Sequence, residues 1–175
     1  MRVAALSLAI ALFVPGAALV QSQASTFPPG TGVILKDSAA AVLRQCTRRT
    51  PRNVERFWQP TDSVVRVLEG PLLELLRDVL PRVRIVDRPQ PTLRAEQYYR
   101  QYVGIVRGGK RLVYVNGFPP PDSLSESIAG KGYWRRLPIE VCDGGPYYFG
   151  VVYDVERRAF EPIDFNDGFS GPVRY

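Results

Sequence analysis

Between Val64 and Val79 the apolar residues recur every three or four positions, whereas from Val83 to Phe165 they recur every second one. A chain whose hydrophobic period changes once, from helical to extended, fits neither a helical bundle nor an all-β sandwich. It has to lay helix against sheet. The resulting expectation is an α+β domain in which N-terminal helices pack on one face of an antiparallel meander sheet.

The helical unit is "FWQPTDSVVRVLEGPLLELLRDVLP", with Val64, Val67, Leu68, Leu72, Leu75, Leu76 and Val79 on its apolar stripe. Thr61 is placed to cap it, and Asp62 sits in the first turn, where the helix dipole favours an anion. Gly70-Pro71 interrupts the pattern, because proline cannot donate to the Val67 carbonyl, so the spacing predicts a kinked helix or two in succession, ending before Pro81. Trp58 and the Leu72, Leu75, Leu76 and Val79 stripe are predicted to pack on Val103, Ile105, Val113 and Val151. Upstream, "KDSAAAVLRQCTRR" predicts a short helix capped by Asp37 or Ser38 that turns Cys46 inward.

Strands are expected at 83–86, 98–107, 111–118, 139–142, 147–155 and 159–165, all rich in β-branched and aromatic residues. Gly108-Gly109-Lys110 supplies a tight hairpin and Glu156-Arg157-Arg158 a second turn. Pro119 to Arg136 is the one long connection, and a loop of that length is either mobile or functional.

The N-terminus, MRVAALSLAIALFVPGAALVQSQAS, has the parts of a cleavable secretory signal: Arg2, an apolar run from Val3 to Val14, and the small-x-small triplet Ser22-Gln23-Ala24. Pro15-Gly16 stops the run short of the roughly 20 residues a spanning helix needs, so no membrane span is expected after cleavage. The organisation read from this is a signal peptide over 1–24, a flexible N-terminal segment over 25–36 and a single α+β domain over 37–175. The location that follows is the bacterial periplasm or the medium. The 20 arginines against 3 lysines fit a GC-rich bacterial genome.

In an oxidising compartment a small even number of cysteines pairs, and Cys46 and Cys142 allow one intramolecular connection. A bridge over 96 residues lowers the entropy of the unfolded chain by an amount worth roughly 4 to 5 kcal/mol before strain is subtracted. The chain contains no histidine, which removes Ser-His-Asp and Cys-His machinery, His-containing zinc sites and haem with a His ligand. Neither a metal nor a cofactor is expected, and Cys142 is read as half of a staple rather than a nucleophile.

Three features are candidates for chemistry. Tyr98, Arg100 and Tyr102 alternate onto one face of a strand, opposite Tyr99, Gln101, Val103 and Ile105. If the second set faces the core, the first forms an aromatic-cationic patch toward solvent or under the long loop, able to stack on sugars and hold an anion. The plainer use of such a set is a ladder of side chains covering the sheet. Asp143-Gly144-Gly145-Pro146 can form an anion-binding nest, or simply a bend in which proline keeps Gly145 extended. Glu69, Asp143, Asp154 and Asp164 can supply a general acid and base if two of them converge across a cleft, although Glu69 can equally pair with an arginine.

A formal charge of +6 and a pI near 9.6 favour anionic partners. Export argues against nucleic acid and leaves envelope glycan, anionic polymer or another exported protein. The function expected is a non-catalytic binding, inhibitory or envelope-associated module, with Tyr98, Arg100, Tyr102 and Asp143 as candidate ligand contacts. The alternative is a carboxylate-dependent hydrolase acting on cell-wall polymer.

Trp58-Gln59-Pro60, Leu68-Glu69, "RQYVGIV" at 100–106, "VYVNGF" at 113–118, "VCDGG" at 141–145, "FGVVYD" at 149–154 and "FN" at 165–166 resemble, together, a group of small exported bacterial proteins of uncharacterised function. The resemblance spans roughly residues 46 to 168, and the DGG and FGVxYD pair is its most specific part. It implies export and these domain bounds, and no activity. The group's last motif ends Asn-Gly, whereas this chain reads Asn166-Asp167-Gly168.

Overall fold

The computed structural model describes residues 32–36, 39–83 and 92–166. The expected signal peptide, the Asp37 or Ser38 cap, residues 84–86 of the first expected strand and the turn after Asn166 lie outside them. The elements are β1 (Gly32–Ile34), α1 (Ala39–Val42), β2 (Arg56–Trp58), α2 (Asp62–Val79), β3 (Tyr99–Arg107), β4 (Lys110–Phe118), α3 (Ser123–Ala129), β5 (Phe149–Asp154), β6 (Ala159–Phe160) and β7 (Asp164–Phe165).

All seven strands belong to one sheet. β3, β4 and β5 form its middle, joined antiparallel with Val103 opposite Tyr114 and Val115 opposite Val151. The outer edge of β3 is shared by two short strands, β1 beside residues 100–102 and β2 beside 104–106. β6 and β7 share the outer edge of β5 in the same way. Because β1 runs parallel to β3, the sheet is mixed, which corrects the purely antiparallel meander. Within the flexible segment expected over 25–36, Gly32–Ile34 are paired and Leu35 is buried, while residues 25–31 lie outside the described ones.

α2 begins as its sequence dictates, with the Val64 N–H donating to Thr61 Oγ1 at 3.4 Å. It then runs unbroken through Gly70-Pro71 to Val79, instead of as two helices. Gly70 and Pro71 are exposed and Val67 is half exposed, so the carbonyl that loses its donor lies on the watered side of the helix. Val65, Leu68, Leu72 and Leu76 point the other way and share one apolar cluster with Tyr102, Val113, Val115, Phe149 and Val151. Each such leucine, fully buried, contributes about 1.5 to 3 kcal/mol.

The other side of the same three strands is covered as well. Val103, Ile105, Leu112, Tyr114 and Val152 cluster with Leu35 and Val42, and Phe118 clusters with Trp134 and Ile139. Val103 and Ile105 therefore lie in the layer away from α2, while Val113 and Val151 are in its layer, which divides the expected contacts of the α2 stripe. Leu75 and Trp58 are only half buried. Trp58 nonetheless closes β2 onto the sheet: its Nε1–H donates to the carbonyls of Ile105 (3.0 Å) and Leu112 (3.1 Å), under the guanidinium of Arg111. Gly104 is needed there, because a Cβ would collide with the Trp58 backbone.

The long connection from Pro119 holds α3 and a 3-10 turn at Tyr133–Arg135. One further expectation is corrected. Residues 139–142 are not a strand, because their backbone groups bond to side chains instead of to a neighbouring strand.

Candidate functional site

Tyr98, Arg100 and Tyr102 do share a face of β3, but that face lies in α2's layer: all three are 2% exposed or less. The exposed patch expected there is thereby corrected. The inference failed because it required one sheet face to be solvated, and β3 is covered on both. Arg100 is neutralised by Glu69, with Nη2 3.1 Å from Oε2. Its Nε–H donates to the Tyr102 hydroxyl at 3.2 Å and an Nη1–H to the Ala95 carbonyl at 3.3 Å, and the Tyr102 O–H donates to Glu69 Oε1. Burial, and then the carboxylate of Glu69, push the Tyr102 phenol well above its ordinary value. Burial raises Tyr98 too, whose ring packs edge-on against Phe149 at 5.4 Å. The arrangement is a buried ion pair with a phenolic bridge.

A second polar cluster lies on the opposite face, and sequence reasoning missed it. Gln101, Asn116 and Asn166 are 1% exposed or less, and Arg48 is 7% exposed. Arg48 donates to Asn166 Oδ1 (2.8 Å), to the Tyr114 hydroxyl (3.2 Å) and to Asn116 Oδ1. Asn116 Nδ2–H donates to Gln101 Oε1 and to the Ile139 carbonyl, both at 3.0 Å. Gln101 returns to the carbonyls of Trp134 and Leu137, and Asn166 to that of Val141 at 2.7 Å. These amides clamp residues 134–141 to the sheet. One signal was available: a Gln and an Asn at core-facing positions of apolar strands have to be hydrogen-bonded.

The clamp ends at the cysteines. Cys46 and Cys142 are bonded, with Cα atoms 4.9 Å apart. Both are exposed, which corrects the inward-facing Cys46. Asp143 is exposed beside them, and Gly145 takes φ of 57°, so the expected extended glycine is instead left-handed at a tight bend. None of Tyr98, Arg100 and Tyr102 is exposed beside Asp143, so the candidate ligand contacts do not come together on one open surface.

The open clefts lie elsewhere. Between the β3–β4 hairpin turn and the β5–β6 turn, a cleft of about 400 Å³ is lined by Arg107, Lys110, Leu112, Asp154, Arg157 and Phe160. A neighbouring cleft of about 270 Å³, lined by Arg49, Thr50, Tyr114, Gly150 and Asp164, shares Arg107 and Glu161 with it. The two make one groove along the sheet face away from α2, with the Arg107–Glu161 ion pair at the junction. Tyr114 contributes to its floor, and burial raises that phenol against the pull of Arg48. Gly150 leaves room for the Arg48–Tyr114 contact, since a Cβ there would strike the Tyr114 hydroxyl.

Each carboxylate of the groove is already bound. Asp164 accepts from Arg49 at 2.9 Å, Glu161 accepts from Arg107, and Asp154 Oδ1 accepts from the N–H groups of Glu156 and Arg157 at 3.0 Å each. A larger cleft of about 580 Å³ is lined by Arg77, Leu80, Pro81 and residues 93–96. Among the described residues there is no metal-ligating cluster of three or more acidic, Cys or His side chains, and no helix is long and apolar enough to cross a membrane. Comparison with protein-family models, curated proteins and solved structures finds no match.

Proposed function

We propose that the protein is an exported, non-catalytic binding module of the bacterial periplasm or medium, and that the groove beside the β3–β4 hairpin is its ligand surface. The observation that carries this reading is the bound state of the groove's carboxylates. General acid–base hydrolysis needs a pair of carboxyl groups facing substrate across a cleft, whereas Asp154, Glu161 and Asp164 each commit one oxygen to an arginine or to turn N–H groups. The groove carries Arg49, Arg107, Lys110 and Arg157 against Asp154, Glu161 and Asp164, an excess of one positive charge (4 − 3) that, with the chain's formal +6, suits an anionic partner such as an envelope glycan or anionic polymer. Membership of the small exported group suggested by "VCDGG" and "FGVVYD" belongs to the same proposal.

The test is titration calorimetry of the full chain with polyglycerol phosphate and with peptidoglycan fragments, at low and high salt. Binding of the polymer that weakens severalfold in Lys110→Gln and Arg157→Gln supports the groove. Equal binding by these variants and wild type would sink it, and release of reducing sugar from the glycan would establish the hydrolase instead.

A further inference from the structure

Arg48 is a buried cation whose partners carry no charge. Its guanidinium donates to Asn166 Oδ1, to Asn116 Oδ1 and to the Tyr114 hydroxyl. Among the described residues it makes no ion pair, in contrast to Arg100 on the other face of the sheet, which Glu69 neutralises. Neutral oxygens replace part of the water that a cation gives up on burial, but they supply no countercharge. The charge of Arg48 is therefore left to act on its surroundings, and these include the smaller half of the groove. Tyr114, whose hydroxyl is 3.2 Å from Arg48 Nε, lines that half, and so does Gly150. A Cβ at position 150 would come within 2.9 Å of Arg48 Nε, so the glycine keeps the floor of the cleft close to the cation. The Tyr114 oxygen accepts from Arg48, and among the described residues its own O–H meets no acceptor. The same holds for the hydroxyl of Thr50, on the wall of this cleft. The other charges here cancel in pairs, Arg49 with Asp164 and Arg107 with Glu161. The Cys46–Cys142 bridge, just before Arg48, fixes the segment that carries Arg48 and Thr50, so the group is set in place before any ligand arrives.

Resting on the reading of the groove as the ligand surface, we propose that this half is a subsite for one singly charged oxyanion of the ligand, a phosphodiester or a carboxylate. The oxyanion accepts from the Tyr114 and Thr50 hydroxyls, and Arg48 supplies the countercharge from beneath. By donating to the Tyr114 oxygen, Arg48 polarises that O–H and makes it a stronger donor. One unmatched cation calls for one negative charge. A second negative charge would face the carboxylates of Asp164 and Glu161, whose arginines are already paired with them. A phosphomonoester, which carries about −1.5 to −2 at pH 7, is therefore the poorer fit.

The experiment titrates the nitrogen-labelled full chain with bis-glycerol phosphate, glucuronate and glycerol monophosphate, and follows the amides of Thr50 and Gly150 and the Nε–H of Arg48 by NMR. The diester and the carboxylate should each move these three signals, which also shows whether one or both oxyanions are accepted. The monoester should bind severalfold more weakly than the diester despite its greater charge, whereas attraction by overall charge gives the reverse order. Tyr114→Phe should weaken the diester by about tenfold or more, the scale of one lost hydrogen bond to a charged group. Thr50→Val, which breaks none of the bonds of Arg48, should weaken it severalfold and carries the test if Tyr114→Phe does not fold. Shifts confined to the Lys110 and Arg157 end would keep the groove and overturn the subsite. So would equal binding by wild type and both variants, or a monoester that binds more tightly than the diester. A response at Gly150 and Arg48 to the diester, with polymer binding untouched by Lys110→Gln and Arg157→Gln, would uphold the subsite and sink the longer groove.

Discussion

Glu69→Leu provides the sharpest test of whether the Tyr98, Arg100 and Tyr102 face is scaffold. Glu69 and Arg100 are 6% and 2% exposed, and their charges meet at 3.1 Å beneath α2. Removing one partner leaves the other charge buried and uncompensated, which costs about 3 to 5 kcal/mol. Removing both, as Glu69→Leu with Arg100→Met, takes the desolvation penalty away together with the attraction, and replacements of this kind are often neutral or stabilising. Tyr102 complicates the cycle, because its hydroxyl donates to Glu69 and a lost buried hydrogen bond adds about 1 to 3 kcal/mol. All four proteins are therefore made in a Tyr102→Phe background. The single changes should sum to roughly 6 to 10 kcal/mol while the double change costs less than about 2, a coupling of at least about 4 kcal/mol. Against a total stability of about 5 to 15 kcal/mol the single variants sit close to unfolding, so Glu69→Gln serves as the measurable intermediate. The assay is urea unfolding followed by tryptophan fluorescence with the disulfide intact, at constant m. Additive effects, or a Glu69→Leu cost below about 1 kcal/mol, would mean that water reaches this pair and that the buried reading is wrong.

Leu72→Ala, at a fully buried site, should cost about 2 to 5 kcal/mol, and Leu75→Ala, at a half-buried one, less than half of that in the same urea titration. Thiol alkylation of the folded, oxidised protein should label neither Cys46 nor Cys142, and reduction should lower stability by up to roughly 4 to 5 kcal/mol, as expected for a bridge spanning 96 residues. Burial raises the Tyr98, Tyr102 and Tyr114 phenols, so the fold keeps these protons at a pH where the unfolded chain, near 10, gives them up. Their contribution is complete below about pH 10 and falls as pH rises beyond it. Tyrosinate absorbance should therefore show these three ionising together with unfolding, and their free titration in a folded protein would contradict the burial.

Local signals carried well and tertiary ones did not. α2 was legible from its period, including the Thr61 cap, and β3 to β5 from alternation and the Gly108-Gly109 turn. Two cysteines in a chain read as exported left one pairing, and that pairing is present. β1 gave no warning, because a three-residue strand held by parallel pairing to residues 100–102 owes its existence to a partner far along the chain. α3 was hidden for a related reason: its apolar residues face out, so no core-facing stripe marked it. The candidate site failed on one assumption. Alternation correctly groups Tyr98, Arg100 and Tyr102, but a core-facing opposite set does not make this face solvated, because β3 is buried on both sides and the carboxylate that neutralises Arg100, Glu69, stands in α2. Glu69 itself was weighed as an arginine partner, and spacing alone could not say which arginine.

The placement of polar groups on both faces of β3 has a consequence for register. A slip of one residue would carry Arg100 out of α2's layer into the position now held by Gln101, among the carbonyls of Trp134 and Leu137, and leave Glu69 unpaired. It would also strip Asn116 and Ile139 of their bonds to Gln101 Oε1. An apolar strand offers no comparable penalty, because Val103 and Ile105 are nearly as well buried on either face. The buried ions and amides thus act as keys that favour one alignment of β3 between β2 and β4, whatever they add to net stability. The variant with Glu69→Leu, Arg100→Met and Tyr102→Phe, joined by Gln101→Leu, should then lose stability, because the partners of Gln101 at Trp134, Leu137, Asn116 and Ile139 are left unpaired, and give more than one set of amide resonances for β3 in a nitrogen-correlated NMR spectrum. A single sharp set would show that hydrophobic packing and the Gly108-Gly109 turn fix the register unaided.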